Sequence, residues 1–162
     1  MTNRLMAAAA LVLLGACSQR AEAPEKTIQQ LMAEEVQPTA EVYWGAVRFE
    51  SVLENGEPVE RDIKPETDED WAQVKAAATK LGELGALLQT PGYAEGRGED
   101  WGQFSKSLVE VSQLAEQAAD AKDVEKEFEV GGTIYSVCSA CHQVYPPAEV
   151  APERGAGEEP AA

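Results

Sequence analysis

Apolar residues recur at three- and four-residue steps along four stretches of the chain, a period that is typical of amphipathic helices. The first stretch runs from about Lys26 to Val47 and includes Pro38. A proline inside a helix removes one backbone hydrogen bond and clashes with the preceding turn. Because the apolar stripe resumes in phase after Pro38, we expect one kinked helix. Two short helices that meet at Gln37 are the alternative.

The second and third helices are separated by a glycine-rich connection. Thr67 is a candidate N-cap with Asp70 at the third helical position, so the second helix is predicted from there to about Gln89. Residues 90–98 are expected to be a plain connection, because their glycines lack the spacing of a phosphate-binding loop. The third helix is predicted to start near Glu99.

The fourth helix is predicted to begin between Asp120 and Asp123 and to end at Pro146. Its apolar positions alternate strictly between four- and three-residue steps, and this stripe is expected to face the core. The positions are Val124, Phe128, Gly131, Tyr135, Cys138, His142 and Tyr145.

Residues 48–66 lose the helical period between the first and second helices. Within them, Asn55 and Gly56 give a strong tight-turn signal between Val52 and Val59. A small hairpin or an irregular loop is therefore expected here, and no function is assigned to it.

Four amphipathic helices with mostly short connections predict an all-α fold, an antiparallel up-down-up-down four-helix bundle. In that topology the last turn of helix four lies beside the first turns of helix one. His142 should therefore face an apolar pocket at that end, while Trp44, Trp71 and Phe128 pack in the core toward the other end. The residues expected around the pocket are Ile28, Leu31, Met32, Leu84, Leu88, Trp101, Phe104, Tyr135 and Tyr145.

The N-terminal residues 1–16 are predicted to be a signal peptide rather than part of the fold. Arg4 supplies a positive charge before the apolar run Leu5–Leu14, which is too short for the roughly 20 residues that span a bilayer. The run ends in a sequence that resembles the lipobox of bacterial lipoproteins, so Cys17 is expected to be lipidated. A plain signal peptide with an incidental cysteine is the alternative.

Three further segments complete the predicted organisation. Residues 17–25 are a short tether, residues 26–146 are the helical domain, and residues 147–162 are an acidic tail that we expect to be disordered. The chain is then anchored by lipid on the periplasmic side of a bacterial membrane. Ser18 after the cysteine favours the outer membrane over the inner membrane.

The net charge of the chain indicates which class of macromolecule it can bind. The chain has 13 Lys and Arg against 29 Asp and Glu, a formal net charge of −16. Such a surface repels nucleic acid and would attract a basic redox partner protein. A solvated acidic surface that serves only solubility is the alternative.

Cys138, Cys141 and His142 form the CxxCH pattern of covalent c-type haem attachment. Positions i and i+3 lie on one helix face, so both thiols can reach one edge of a porphyrin and form thioethers with its vinyl groups. His142 follows as the proximal iron ligand. A zinc site, which needs four ligands, and a thioredoxin-like dithiol, which belongs in a βαβ setting, are the weaker alternatives.

Over roughly residues 26–145 the chain resembles the class II c-type cytochromes, the cytochrome c-prime family and its low-spin relatives. Those proteins are four-helix bundles with CxxCH close to the end of the last helix, followed three residues on by an aromatic residue, here Tyr145. Pro146 stands where family members commonly have a basic residue, so a contact from that position to a haem propionate is not carried over. The resemblance is compatible with a homodimer through helices one and two.

The sixth iron ligand distinguishes the candidate functions. His142 is the single histidine, and signal cleavage would leave Met32 as the only methionine. In low-spin relatives the methionine ligand comes from this zone of helix one, and a His/Met haem suits an electron carrier. If Met32 only packs, a five-coordinate haem that binds a small gas such as nitric oxide is the alternative. A structural lipoprotein with an incidental haem is the third candidate function. No residue set indicates bond-making catalysis, so the chain is not expected to be an enzyme.

Overall fold

The computed structural model describes residues 23–147, which are mostly helical with one two-stranded sheet. The predicted signal peptide, Cys17, most of the tether and nearly all of the acidic tail lie outside the described residues. Within residues 23–147 no helix has the length and apolar character needed to cross a membrane.

The first helix, α1, is continuous from Ile28 to Ala46 and has three parts: an α-helical turn Ile28–Leu31, a π-helical turn Met32–Val36, and an α-helix Gln37–Ala46. In the π turn the N–H of Gln37 donates to the carbonyl of Met32, five residues back. Pro38 has no N–H and its ring crowds the preceding turn, so a wide turn at this point accommodates it. The expected kink thus takes the form of a π turn inside one helix.

A hairpin follows α1, with β1 at Arg48–Glu54 and β2 at Glu57–Ile63. The strands are antiparallel, and both turn residues, Asn55 and Gly56, have positive φ (53° and 87°), as a tight hairpin turn requires. The hairpin, one of the two alternatives expected for this segment, is therefore confirmed, and the fold is mostly helical with one small sheet instead of all-α.

Three long helices follow: α2 at Asp68–Leu88, α3 at Glu99–Ala121 and α4 at Val124–Val144. The expected cap of α2 is present, since the Thr67 hydroxyl accepts from the Asp70 N–H at 3.1 Å and the Asp70 carboxylate accepts from the Thr67 N–H at 2.9 Å. A short helix, Pro91–Ala94, interrupts the connection between α2 and α3. The connection is therefore more ordered than the plain loop expected there.

The core lies mainly between α2 and α3, which pack together along their length, with α4 against α3 and α1 against α2. Contact between α4 and α1 is smaller and is centred on Gly131, whose carbonyl accepts from the Trp44 indole at 2.9 Å. The side of the molecule between α1 and α4 is therefore the least tightly closed.

The rotation of α4 differs from the predicted stripe by about one residue. Its buried positions include Glu127, Val130 and Ile134, whereas Phe128 is 54% exposed and Tyr135 is 63% exposed. Both aromatic rings cover surface neighbours instead of filling the core: Phe128 packs edge-on against Phe49, and Tyr135 against Trp44. The expectation that Phe128 is a core residue is therefore wrong.

Candidate functional site

One small apolar pocket brings the CxxCH residues together with α1. Cys138, Cys141 and His142, on the last turns of α4, line it with Met32, the first residue of the π turn. The cavity has a volume of about 60 Å³. Its remaining lining residues are Val36, Leu88, Trp101, Phe104, Ser105, Leu108 and Val137.

The pocket includes some of the predicted lining residues and omits others. Met32, Leu88, Trp101 and Phe104 line it as expected. Leu31 and Leu84 are instead buried in the core, and Ile28 packs half-buried against that core at the start of α1. Tyr145 packs against Trp101 outside the lining.

Tyr135 is also absent from the pocket, because the rotation of α4 directs its ring toward Trp44 on the surface, with centroids 6.1 Å apart. Four lining residues were missed from the sequence: Val36, Ser105, Leu108 and Val137. Val36 and Leu108 do belong to predicted apolar stripes, one turn beyond Met32 and Phe104. The apolar spacing therefore contains the signal for these two residues, because the pocket extends one helical turn further along α1 and α3 than predicted.

The two thiols of the motif are half-buried. Burial raises the pKa of the Cys138 thiol, with a smaller contribution from Cys141. Burial also raises the pKa of the Cys141 thiol, and the positive charge of Arg97 opposes that shift. A redox dithiol needs a thiolate with a lowered pKa, which this setting does not provide.

The side chains around the motif also give little support to a zinc site. Within residues 23–147 no group of three or more His, Cys, Asp or Glu side chains is arranged to hold a metal ion. The lining adds a thioether and a hydroxyl to the motif but no carboxylate. The arrangement is better suited to binding an apolar group at its edge than to enclosing a bare cation.

Hydrogen bonds fix the segments around the pocket to one another. The Trp101 indole donates to the carbonyl of Leu88 at 2.7 Å, which ties the start of α3 to the end of α2. The Tyr93 hydroxyl donates to the carbonyl of Lys26 at 2.9 Å, which ties the short helix to the start of α1. The pocket wall formed by α1, α2 and α3 is thereby held in place.

Tyr145 fixes the end of α4 to the same wall. Its hydroxyl donates to the carbonyl of Arg97, and its ring meets that of Trp101 edge-on at 5.1 Å. Its own N–H donates to the carbonyl of Cys141 at 2.8 Å, which completes the last turn of the helix. Two links, the hydrogen bond to Arg97 and the ring contact with Trp101, therefore hold the CxxCH turn against the connection between α2 and α3 and the start of α3.

A larger open groove of about 520 Å³ lies at the other end, between the hairpin, α1 and α2. None of the CxxCH residues lines it, and its charged residues include Asp70, which is already used in the α2 cap. We therefore place the candidate site at the smaller apolar pocket.

In comparisons with known proteins, the chain matches no protein-family model, no curated protein and no solved structure.

Proposed function

We propose that the chain binds one haem covalently through Cys138 and Cys141, with His142 and Met32 as iron ligands, and that it carries electrons. One observation carries the proposal: the two thiols, the imidazole and the thioether all line a single apolar pocket. Bound haem supplies an iron that cycles between ferric and ferrous states, and a His/Met ligand pair raises its reduction potential.

The chemistry of the donor set fits this group, whereas the enclosed volume does not yet accommodate it. A site for a cofactor-sized ligand measures about 300 Å³ or more, compared with the 60 Å³ enclosed here. Contact between α1 and α4 is the smallest between neighbouring helices, so this is the side on which we propose that the pocket widens to admit haem. We propose accordingly that α1 to α4 form an antiparallel up-down-up-down four-helix bundle which separates slightly at this end.

Each residue has a distinct role in the proposal. Cys138 and Cys141 lie three residues apart on α4 and attach the group along one helix face. His142 binds the iron from the same helix, and Met32 approaches from α1. The apolar lining from Val36, Phe104 and Leu108 excludes water, which lowers the local dielectric around the iron.

Covalent attachment is tested by expressing the full chain in a host that matures c-type cytochromes. The wild type and Ser139→Ala, a control inside the motif, should retain haem stain on a denaturing gel and show the added mass of one haem. Cys138→Ala/Cys141→Ala should lose both signals, because no thioether can form. A stain that survives in the double variant would contradict the proposal.

The role of Met32 is tested with Met32→Leu, which removes the sulfur and keeps a side chain of similar volume. We expect the wild type to be low-spin in the ferric state, and Met32→Leu to become high-spin with a lower reduction potential. Val36→Ala, a pocket change without sulfur, should stay low-spin. If the wild type is itself high-spin and Met32→Leu leaves its spectrum unchanged, the gas-binding function replaces electron transfer.

The location and partners belong to the same proposal. We place the protein on the periplasmic side of a bacterial membrane, held by lipid on Cys17, and we expect a basic protein to be its redox partner because the net charge is −16. Intact-mass analysis of the membrane fraction should detect a diacylglyceryl group on the mature N-terminus. A soluble protein with a free thiol at Cys17 would contradict the anchor.

A further inference from the structure

Arg97 is a basic residue in a strongly acidic chain, and no carboxylate of the described residues pairs with it. Within residues 23–147, every Lys and Arg forms a salt bridge except Lys64 and Arg97. Arg97 is also half-buried, in the connection between α2 and α3. A partly desolvated cation is costly unless a counter-charge meets it, so the missing partner requires an explanation.

The Arg97 side chain is held in one orientation. Its Nε donates to the carbonyl of Tyr93 at 2.7 Å, and its guanidinium carbon lies 4.4 Å from the centre of the Trp101 ring. Its main-chain carbonyl accepts from the Tyr145 hydroxyl. The two terminal amino groups have no acceptor among the described residues, so a planar pair of donors remains available.

This pair of donors lies beside the candidate site. Trp101, on which the guanidinium stacks, lines the pocket, and Tyr145 closes the helix turn that follows Cys141. Arg97 is therefore positioned at the rim of the pocket.

We propose that Arg97 binds a carboxylate of the haem, one of its two propionates, at the rim of the pocket. The inference rests on the proposed function. A guanidinium presents parallel N–H donors that match the two oxygens of a carboxylate, and burial strengthens such a pair. An acidic surface on a partner protein is the less suitable occupant, because a chain with a net charge of −16 repels it.

The test compares Arg97→Gln and Arg97→Lys with Lys64→Gln, which removes the other unpaired cation at a position outside the candidate site. Reduction potentials of the haem-loaded proteins are measured across the acidic and neutral pH range. A positive charge near the iron favours the ferrous state, so Arg97→Gln should lower the potential. We expect a change of up to tenfold in the redox equilibrium constant, equivalent to about 59 mV for one electron.

The pH dependence identifies the carboxylate. Arg97 keeps its partner ionised to low pH, so in Arg97→Gln the pH-dependent part of the potential should move to higher pH. Arg97→Lys should show a smaller move, because it keeps the charge and loses the paired donors. Lys64→Gln should match the wild type in both measurements.

Four outcomes overturn the inference. If haem is attached and Arg97→Gln matches the wild type, Arg97 binds no propionate and the proposed function stands. If the reduction potential of Arg97→Gln falls while its pH dependence stays that of the wild type, Arg97 is only a distant charge. The inference then fails and the proposed function stands. If the wild type carries no haem, the inference falls with the proposed function. Should Arg97→Gln fail to accumulate, the pH dependence of Arg97→Lys decides, and identity with the wild type overturns the inference.

Discussion

The Glu127 carboxyl group is 1% exposed, and its Oε1 atom has no hydrogen-bond partner in the described part of the chain. Tyr43 is fully buried on α1, and its hydroxyl donates at 3.5 Å to the main-chain carbonyl of Glu127. Burial raises the pKa of Glu127 to about 7, and burial followed by the Glu127 charge raises the pKa of Tyr43. A single acidic residue therefore titrates in the core near neutral pH.

Glu127 makes stability depend on pH. The pKa is higher in the folded chain than the ordinary value of 4.5, so the folded state keeps a proton that the unfolded state has lost. Stability should therefore fall as pH rises from about 4.5 to about 7 and then level off, by a total on the order of 3 kcal/mol.

Glu127→Gln tests this dependence, because glutamine is neutral at every pH and similar in shape. Chemical denaturation should give the variant and the wild type similar stability at pH 5. At pH 8 the variant should be more stable by about 1–3 kcal/mol. Glu125→Gln, an exposed position on the same helix, should follow the wild-type curve, and a Glu127→Gln curve parallel to the wild type would contradict the assignment.

At the scale of single elements, the sequence was informative about where helices begin and end and less informative about how they are rotated. Capping residues and the Asn55–Gly56 turn act locally, so they can be recognised without tertiary structure. The rotation of α4 depends on its neighbours: Gly131 admits the Trp44 ring, which a Cβ would approach to 3.4 Å. Its stripe alone could not distinguish the buried Ile134 from the exposed Tyr135.

The residues of the candidate site could likewise be predicted only in part from the sequence. The CxxCH spacing and Met32 were evident in the sequence, and the fold brings all of them to one pocket. Two features were not predictable. The π turn arises from the response of α1 to Pro38, and Arg97 reaches the site from a connection that has no motif. Pro38 indicates a distortion of α1 without fixing its form, and the position of Arg97 depends on contacts such as that of its carbonyl with Tyr145, 48 residues away.

The close packing of α2 on α3 predicts opposite effects for two helical glycines. A Cβ at Gly85 would lie 3.1 Å from the Ser105 carbonyl oxygen and 3.0 Å from a Val109 methyl group, whereas a Cβ at Gly132 meets nothing within 4 Å. Gly132→Ala should stabilise the protein by about 0.5–1 kcal/mol through helix propensity. Gly85→Ala gains the same helix propensity, but overpacking costs about 1–3 kcal/mol. This substitution should therefore destabilise the protein overall.

Thermal and urea unfolding of the two glycine variants measure this difference directly. The variants should differ by about 2 kcal/mol, with the wild type between them. The backbone carbonyl of Ser105 cannot turn away as a flexible side chain would, so relief requires α2 and α3 to separate. Equal effects of the two substitutions would show that the helices are less closely packed at Gly85.

At the scale of the whole molecule, the tightest packing and the CxxCH turn belong to different pairs of helices, although α2 and α3 also line the candidate site. The tightest packing runs along α2 and α3, where Ala78, Leu81 and Ala115 are fully buried. The CxxCH turn lies on α4, whose contact with α1 is small and centred on Gly131. The molecule therefore combines a closely packed pair of helices with a pocket whose α1 and α4 walls make little contact with each other.

If haem attaches as proposed, this difference in packing predicts which parts of the chain it stabilises. In Cys138→Ala/Cys141→Ala, amide hydrogen exchange should be faster in the π turn Met32–Val36 and in the last turns of α4, because their shared partner is absent. Exchange in the buried middle of α2 and α3 should stay near that of the haem-loaded wild type. Ser139→Ala, which keeps the attachment, controls for substitution within the motif. Faster exchange throughout all four helices would mean that haem organises the whole fold, whereas unchanged exchange around Met32 would mean that α1 takes no part in holding it.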